Sequence, residues 1–95
     1  MEVNELVVLQ LAIEEFGKQE QIDMAIEECA ELINALEKLR RNRVEPIDVI
    51  TEIADVQIMT QQLAYMFGEK EVAAERTRKV ERLKGRIEKH KGNRD

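Results

Sequence analysis

Two pairs of carboxylates stand out by their spacing: Glu28 with Glu31, and Glu52 with Asp55, each pair three residues apart. On a helix, residues at i and i+3 lie on one face a turn apart, so each pair projects both acids in one direction. Taking ~100° per residue, Glu28 and Glu31 share a row with Met24 and Ala35, and Glu52 and Asp55 share one with Asp48, Met59 and Met66. Acids that share a row with side chains preferring burial point toward an interior. Two antiparallel helices bring the four together, where uncompensated they repel and resist desolvation. A divalent cation removes that conflict. An all-oxygen donor set selects a hard ion, Mg²⁺ or Mn²⁺, and leaves positions for water and phosphate oxygens. The same periodicity also fits two solvent-facing helix sides, so the direction of the acids decides between the readings.

Other metal chemistry finds little support. A di-iron carboxylate bundle needs Glu-x-x-His pairs from two helices, and the one histidine, His90, lies near the end of the chain. Cys29, the one cysteine, falls inside an apolar stripe and reads as a buried structural thiol.

The elements that must position these acids are delimited by one proline and four glycines. A first helix is expected from Asn4, a good N-cap, to Phe16, with Gly17 as its stop. Its Leu6, Val7, Val8, Leu9, Leu11, Ile13 and Phe16 cover most of its circumference. Such a helix wants burial on several sides, which pairing with a second copy supplies. The second helix, about Gln19 to Asn42, carries a stripe centred on Cys29 that runs from Ile22 to Leu39. Pro46 is expected as the first residue of a third helix ending at Phe67 before Gly68. A fourth, about Glu69 to Lys91, has a thin stripe of Val72, Arg76, Val80, Leu83 and Ile87, and a charged tail from Lys89 to Asp95 that is expected to fray.

Residues 1–95 therefore read as a single all-α domain, a bundle of about four helices whose core four-helix bundle is completed by oligomerisation. Acids outnumber bases 20 to 15, which argues against a spread nucleic-acid footprint. The balance shifts along the chain, from 15 acids and 5 bases up to Glu69 to 10 bases and 5 acids beyond it. An acidic body with a basic last helix suits a cation and the anion that travels with it. A membrane-spanning stretch is not expected. The lone cysteine and an opening Met1-Glu2-Val3-Asn4 without a basic, then apolar, leader predict a cytoplasmic setting.

Glu27-Glu28-x-x-Glu31 followed by Glu52-x-x-Asp55, with Gln21-Ile22-Asp23-Met24-Ala25-Ile26 ahead of the first element, resembles the EExxE…ExxD signature of the MazG-like all-alpha nucleotide pyrophosphohydrolases. The resemblance is specific from Gln21 to Gly68 and looser in the outer helices. It implies Mg²⁺-dependent hydrolysis of a nucleoside triphosphate between the α and β phosphates, giving a monophosphate and pyrophosphate. It further implies that Glu28, Glu31, Glu52 and Asp55 hold the metal, and that the chain forms a homodimer or homotetramer. Members commonly hold the phosphate tail with a Lys and an Arg on the helix after the acidic motif. The matches here are Lys79 and Arg82, with Arg86 one turn on, although Arg76 stands where an Asn is frequent.

Glu27, rotated by ~100° from Glu28, is the candidate general base or an outer group. Gln21 and Met24 precede the metal pair on the same flank and are candidates to border the nucleotide, as Met59 does from the other helix. Phe16 and Phe67 are available for stacking if their helices end near the pocket. Two rival expectations remain: a catalytically silent helical interaction module, and a relative of the phosphoribosyl-ATP pyrophosphatases.

Overall fold

The structure, a computed structural model, describes residues 4–93, within which there are four helices and no strand. Helix α1 spans Glu5–Phe16 and α2 spans Lys18–Arg40. Helix α3 spans Pro46–Phe67 and α4 spans Glu69–Gly92. The expected tail is helical through Gly92 rather than frayed from Lys89. Its last two residues, like Met1 to Val3 of the opening segment, lie outside the described residues.

Each boundary follows from local chemistry. The Asn4 side chain accepts a hydrogen bond from the Val7 N–H at 3.3 Å and starts α1. Gly17 alone separates α1 from α2. Its φ of 89° and ψ of 154° lie in a region that side-chain-bearing residues avoid, and its N–H closes α1 on the Ile13 carbonyl at 2.9 Å. Asn42, left-handed with φ 59°, ends the second helix, and the Arg43 N–H reaches back to the Lys38 carbonyl at 2.8 Å. Pro46 opens α3, and the Asp48 carboxylate accepts from the Glu45 N–H at 3.0 Å. Gly68, with φ 133°, is a second one-residue joint.

Helices α2 and α3 form the main seam, α1 rests on both, and α4 touches α3 alone. A single chain therefore does not close a four-helix bundle. Its radius of gyration is 17.1 Å, against ~12.4 Å for a compact domain of this length, because α4 projects away with every residue exposed.

The buried faces are also not the richest apolar ones. The α2 stripe centred on Cys29 is not the buried face. Cys29 is half-buried, and Ile26 and Ile33 are 64% and 63% exposed. The inward row of α2 runs through Gln21, Ala25, Glu28, Leu32 and Ala35, and that of α3 through Val49, Glu52, Val56, Met59 and Leu63. The flank that carries the acids is thus the seam itself.

Candidate metal centre

Glu28 and Glu52 enter the seam because they are in phase with its best-buried small and apolar residues. Glu28 lies three residues after Ala25, and Glu52 three after Val49. Both side chains are half-buried, and Glu31 stands exposed at the edge. One carboxylate oxygen from each of Glu28, Glu31 and Glu52 lies within 4.8 Å of the others. The Oε2 atoms of Glu28 and of Glu52 are sealed from solvent and have no hydrogen-bond partner. Asp55 stands beside this triad rather than in it: its charge acts on both Glu28 and Glu52, and it lines a cavity with Glu28.

The electrostatics follow from this geometry. Burial raises the pKa of Glu28, and the charges of Glu31, Asp55, Glu52 and Glu27 add to the rise in that order. Burial likewise raises that of Glu52, helped by the charges of Glu31 and Asp55 and by the closeness of the Glu31 carboxylate. Asp48, on the same row, is occupied in capping α3. Two sealed, unpartnered carboxylate oxygens beside two further acids fit a hard divalent cation, since such a cation supplies the partner that each oxygen lacks.

A cavity of about 240 Å³ lies beside the acids, and Glu28 and Asp55 line it. Gln21, Met24, Met59, Gln62 and Phe16 line it as well. Gln21 is 2% exposed, with only a weak 3.8 Å contact from its Nε2 to the Met24 sulfur. Gln62 is 4% exposed, and its Oε1 has no partner. Sequence reasoning passed over Gln62, although a usable signal was present: it lies seven residues after Asp55 and three after Met59, on the same helical row.

The remaining candidates lie elsewhere. Glu27 is exposed and lines a separate outer depression with Gln19, Asp23 and Met24. Lys79 opens onto the groove between α3 and α4, and Arg86 onto a depression near the end of α4. Arg82 is exposed on the same helix. None of these three cations lines the carboxylate cavity. Phe67, 71% exposed, lines the α3–α4 groove and so is not at that cavity either.

The fold and site define an all-helical protein with a carboxylate cluster facing into its main helix seam. The chain matches no protein-family model, no curated protein and no solved structure. No helix among the described residues is long and apolar enough to cross a membrane.

Proposed function

We propose that this chain is a metal-dependent nucleoside triphosphate pyrophosphohydrolase of the MazG-like type, which hydrolyses a nucleoside triphosphate to a monophosphate and pyrophosphate. The observation that carries the reading is the pair of sealed, unpartnered oxygens on Glu28 and Glu52, inside a triad with Glu31. Glu28, Glu31 and Glu52 hold the cation, Mg²⁺ or Mn²⁺, and Asp55 completes the acidic set from the cavity side. The bound cation supplies neutralisation of phosphate charge and a lowered pKa for attacking water.

The protein's own residues do the rest. The seam between α2 and α3 holds the acids in a fixed arrangement, so the phosphates are met by ligands already oriented. Glu27, one step along α2 from Glu28, faces an outer depression and acts on Glu28 through its charge, so it serves as general base only if the attacking water approaches from that side. The cavity beside Glu28 and Asp55 receives the part of the nucleotide that lies away from the cleaved bond.

Lys79, Arg82 and Arg86 suit the phosphate tail by charge and, for the arginines, by the fork of their guanidinium groups. In one chain none of the three lines the cavity beside the carboxylates. We therefore read the phosphate grip as coming from α4 of a second copy, in a homodimer or homotetramer.

The test is pyrophosphate release from a panel of ribo- and deoxyribonucleoside triphosphates, with and without Mg²⁺. Release that depends on the metal and favours one or a few nucleotides supports the reading. Silence across the panel by a folded oligomer moves the protein to an interaction module.

A further inference from the structure

Two exposed rows, one on α2 and one on α4, share a spacing. On α2, Ile22, Ile26, Cys29, Ile33 and Leu36 follow one another in alternating steps of four and three residues, and Ile26 and Ile33 are the most exposed of them. On α4, Arg76, Val80, Leu83 and Ile87 follow in the same steps. Such steps belong to helices that pack along one another as a coiled coil. Within one chain the two rows do not meet, because α4 touches α3 alone. Val80 and Leu83 open instead onto the groove between α3 and α4.

The charges beside each row decide what can cover it. Val80, Leu83 and Ile87 are edged by Lys79 and Arg86 on one side and by Lys84 and Lys91 on the other. A second α4 would meet like charge along both edges, so α4 does not pair with itself. The outer row of α2 carries the opposite charge. Residues 18–31 hold five acids and one base, whereas residues 82–91 hold five bases and one acid. Laid antiparallel, the basic end of α4 meets the acidic end of α2, and Glu69 and Glu71 reach the end that carries Lys38 and Arg40. A parallel arrangement sets the acidic starts of both helices side by side.

We propose that α4 of a second copy packs antiparallel on the outer row of α2, with Ile87 against Ile22, Leu83 against Ile26 and Val80 against Cys29, and that the contact is reciprocal. A two-fold axis across the helices reverses every helix of the second copy, so both contacts are antiparallel. Arg76, the one charged member of its row, falls opposite Ile33, and a lone polar residue in such a seam specifies register. Lys84 comes beside Asp23, which is exposed on the outer edge of α2. The same alignment carries Lys79 and Arg86 to the side of Leu32 and Ala25, one turn to either side of Glu28. The second copy thus brings two cations to the flank of the carboxylate seam. The pairing takes from the proposed function only its need for a second copy, and gives that copy a seat and a direction.

The experiment uses Cys29, the chain's one cysteine, as a built-in probe. In the full chain carrying Val80→Cys, mild oxidation is expected to yield a covalent dimer whose peptides join position 80 of one copy to Cys29 of the other. The link disappears when Cys29→Ser is added, and Arg78→Cys, on the far side of α4, gives no link to Cys29. Lys84→Glu is expected to weaken association at least about ten-fold, and Asp23→Lys in the same chain restores it. A monomeric parent, a link between two positions 80 or between two Cys29 residues, an equal yield from Arg78→Cys, or no rescue by the charge exchange overturns the pairing. If Val80→Cys does not fold, the charge exchange decides. A dimer linked as expected that releases no pyrophosphate from any triphosphate keeps the pairing and removes the hydrolase reading. Pyrophosphate release by a protein that fails to form the link removes the pairing alone.

Discussion

Glu28 on α2 and Glu52 on α3 meet across the central seam, each with an Oε2 atom shut away from solvent and lacking any hydrogen-bond partner. Two acids so placed raise each other's preference for the proton unless something positive sits between them. Left uncompensated, the two acids oppose the closure of the seam that buries them.

Metal should stabilise the fold through these acids. A ligand present at 100 times its dissociation constant adds ~2.7 kcal/mol to stability, so Mn²⁺ or Mg²⁺ at that excess is expected to raise the unfolding temperature by roughly 10–20 °C. In Glu52→Gln that increment disappears, while the metal-free variant is at least as stable as the metal-free parent because one repelling charge is gone. A thermal scan with and without metal checks both. An equal increment in parent and variant removes Glu52 from the ligand set.

The pH dependence of the metal-free protein has a defined sign. Glu28 and Glu52 both carry pKa values raised above the ordinary 4.5 by burial and neighbouring acids. Their contribution to stability is fully present below that ordinary value and is lost as pH rises through their raised values. Chemical denaturation in chelator is thus expected to show a protein more stable in mild acid than at neutrality, with a flatter profile for Glu52→Gln. A rise in stability toward neutrality that depends on these two residues contradicts the geometry.

Much of the local structure was legible in the residues, and less of the packing. Asn4, Gly17, Pro46 and Gly68 start or stop a helix by their own local chemistry, and the helices begin or end where these residues stand. Which face of α2 turns inward was not legible, because Ile22, Ile26, Cys29 and Ile33 form a richer apolar row than Gln21, Ala25 and Glu28. A periodicity argument follows the richest row, whereas the α2–α3 seam admits the small and polar one. The meeting of Glu28, Glu31 and Glu52 was legible from their spacing. The weaker place of Asp55 was not, since it depends on how far α3 is rotated against α2. The separation of Lys79, Arg82 and Arg86 from the acids was equally hidden, because α4 rests on α3 alone.

Removing the acids should silence the reaction without unfolding the protein. Glu52→Ala and Asp55→Ala are each expected to reduce pyrophosphate release at least about 100-fold, as loss of an electrostatic contact in the transition state does. Helical circular dichroism should stay near that of the parent, because neither residue anchors the apolar packing. Joint loss of activity and helical signal in both variants assigns the acids to the fold instead.

The joint between α1 and α2 should be sensitive to backbone alone. A Cβ at Gly17 meets nothing within 4 Å, yet its φ of 89° with ψ of 154° is a glycine conformation. Gly17→Ala is therefore expected to destabilise by roughly 1–3 kcal/mol, readable by denaturant titration. Because this joint places Phe16 in the lining of the cavity beside the acids, the variant should also bind nucleotide less tightly if the proposed function holds. Unchanged stability means that α1 and α2 can meet at another angle.

The exposed surface calls for a second copy. The chain exposes 8093 Å², about 2,400 Å² more than a compact monomer of its mass. Much of this belongs to outward rows such as Ile26, Ile33 and Leu36 on α2 and Val80, Leu83 and Ile87 on α4. Interfaces of permanent dimers bury some 2,000–5,000 Å² in total, so covering that excess on two copies falls within their range. Sedimentation at micromolar concentration should find a dimer or tetramer. The double variant Ile26→Glu, Ile33→Glu should dissociate it, because charges on the outward row of α2 resist burial while the inward row with Glu28 is untouched. If α4 of one copy grips the phosphates at the acids of the other, the dissociated variant keeps some of its metal binding and loses turnover. A parent protein that sediments as a monomer and still hydrolyses triphosphates returns the phosphate grip to the chain's own residues.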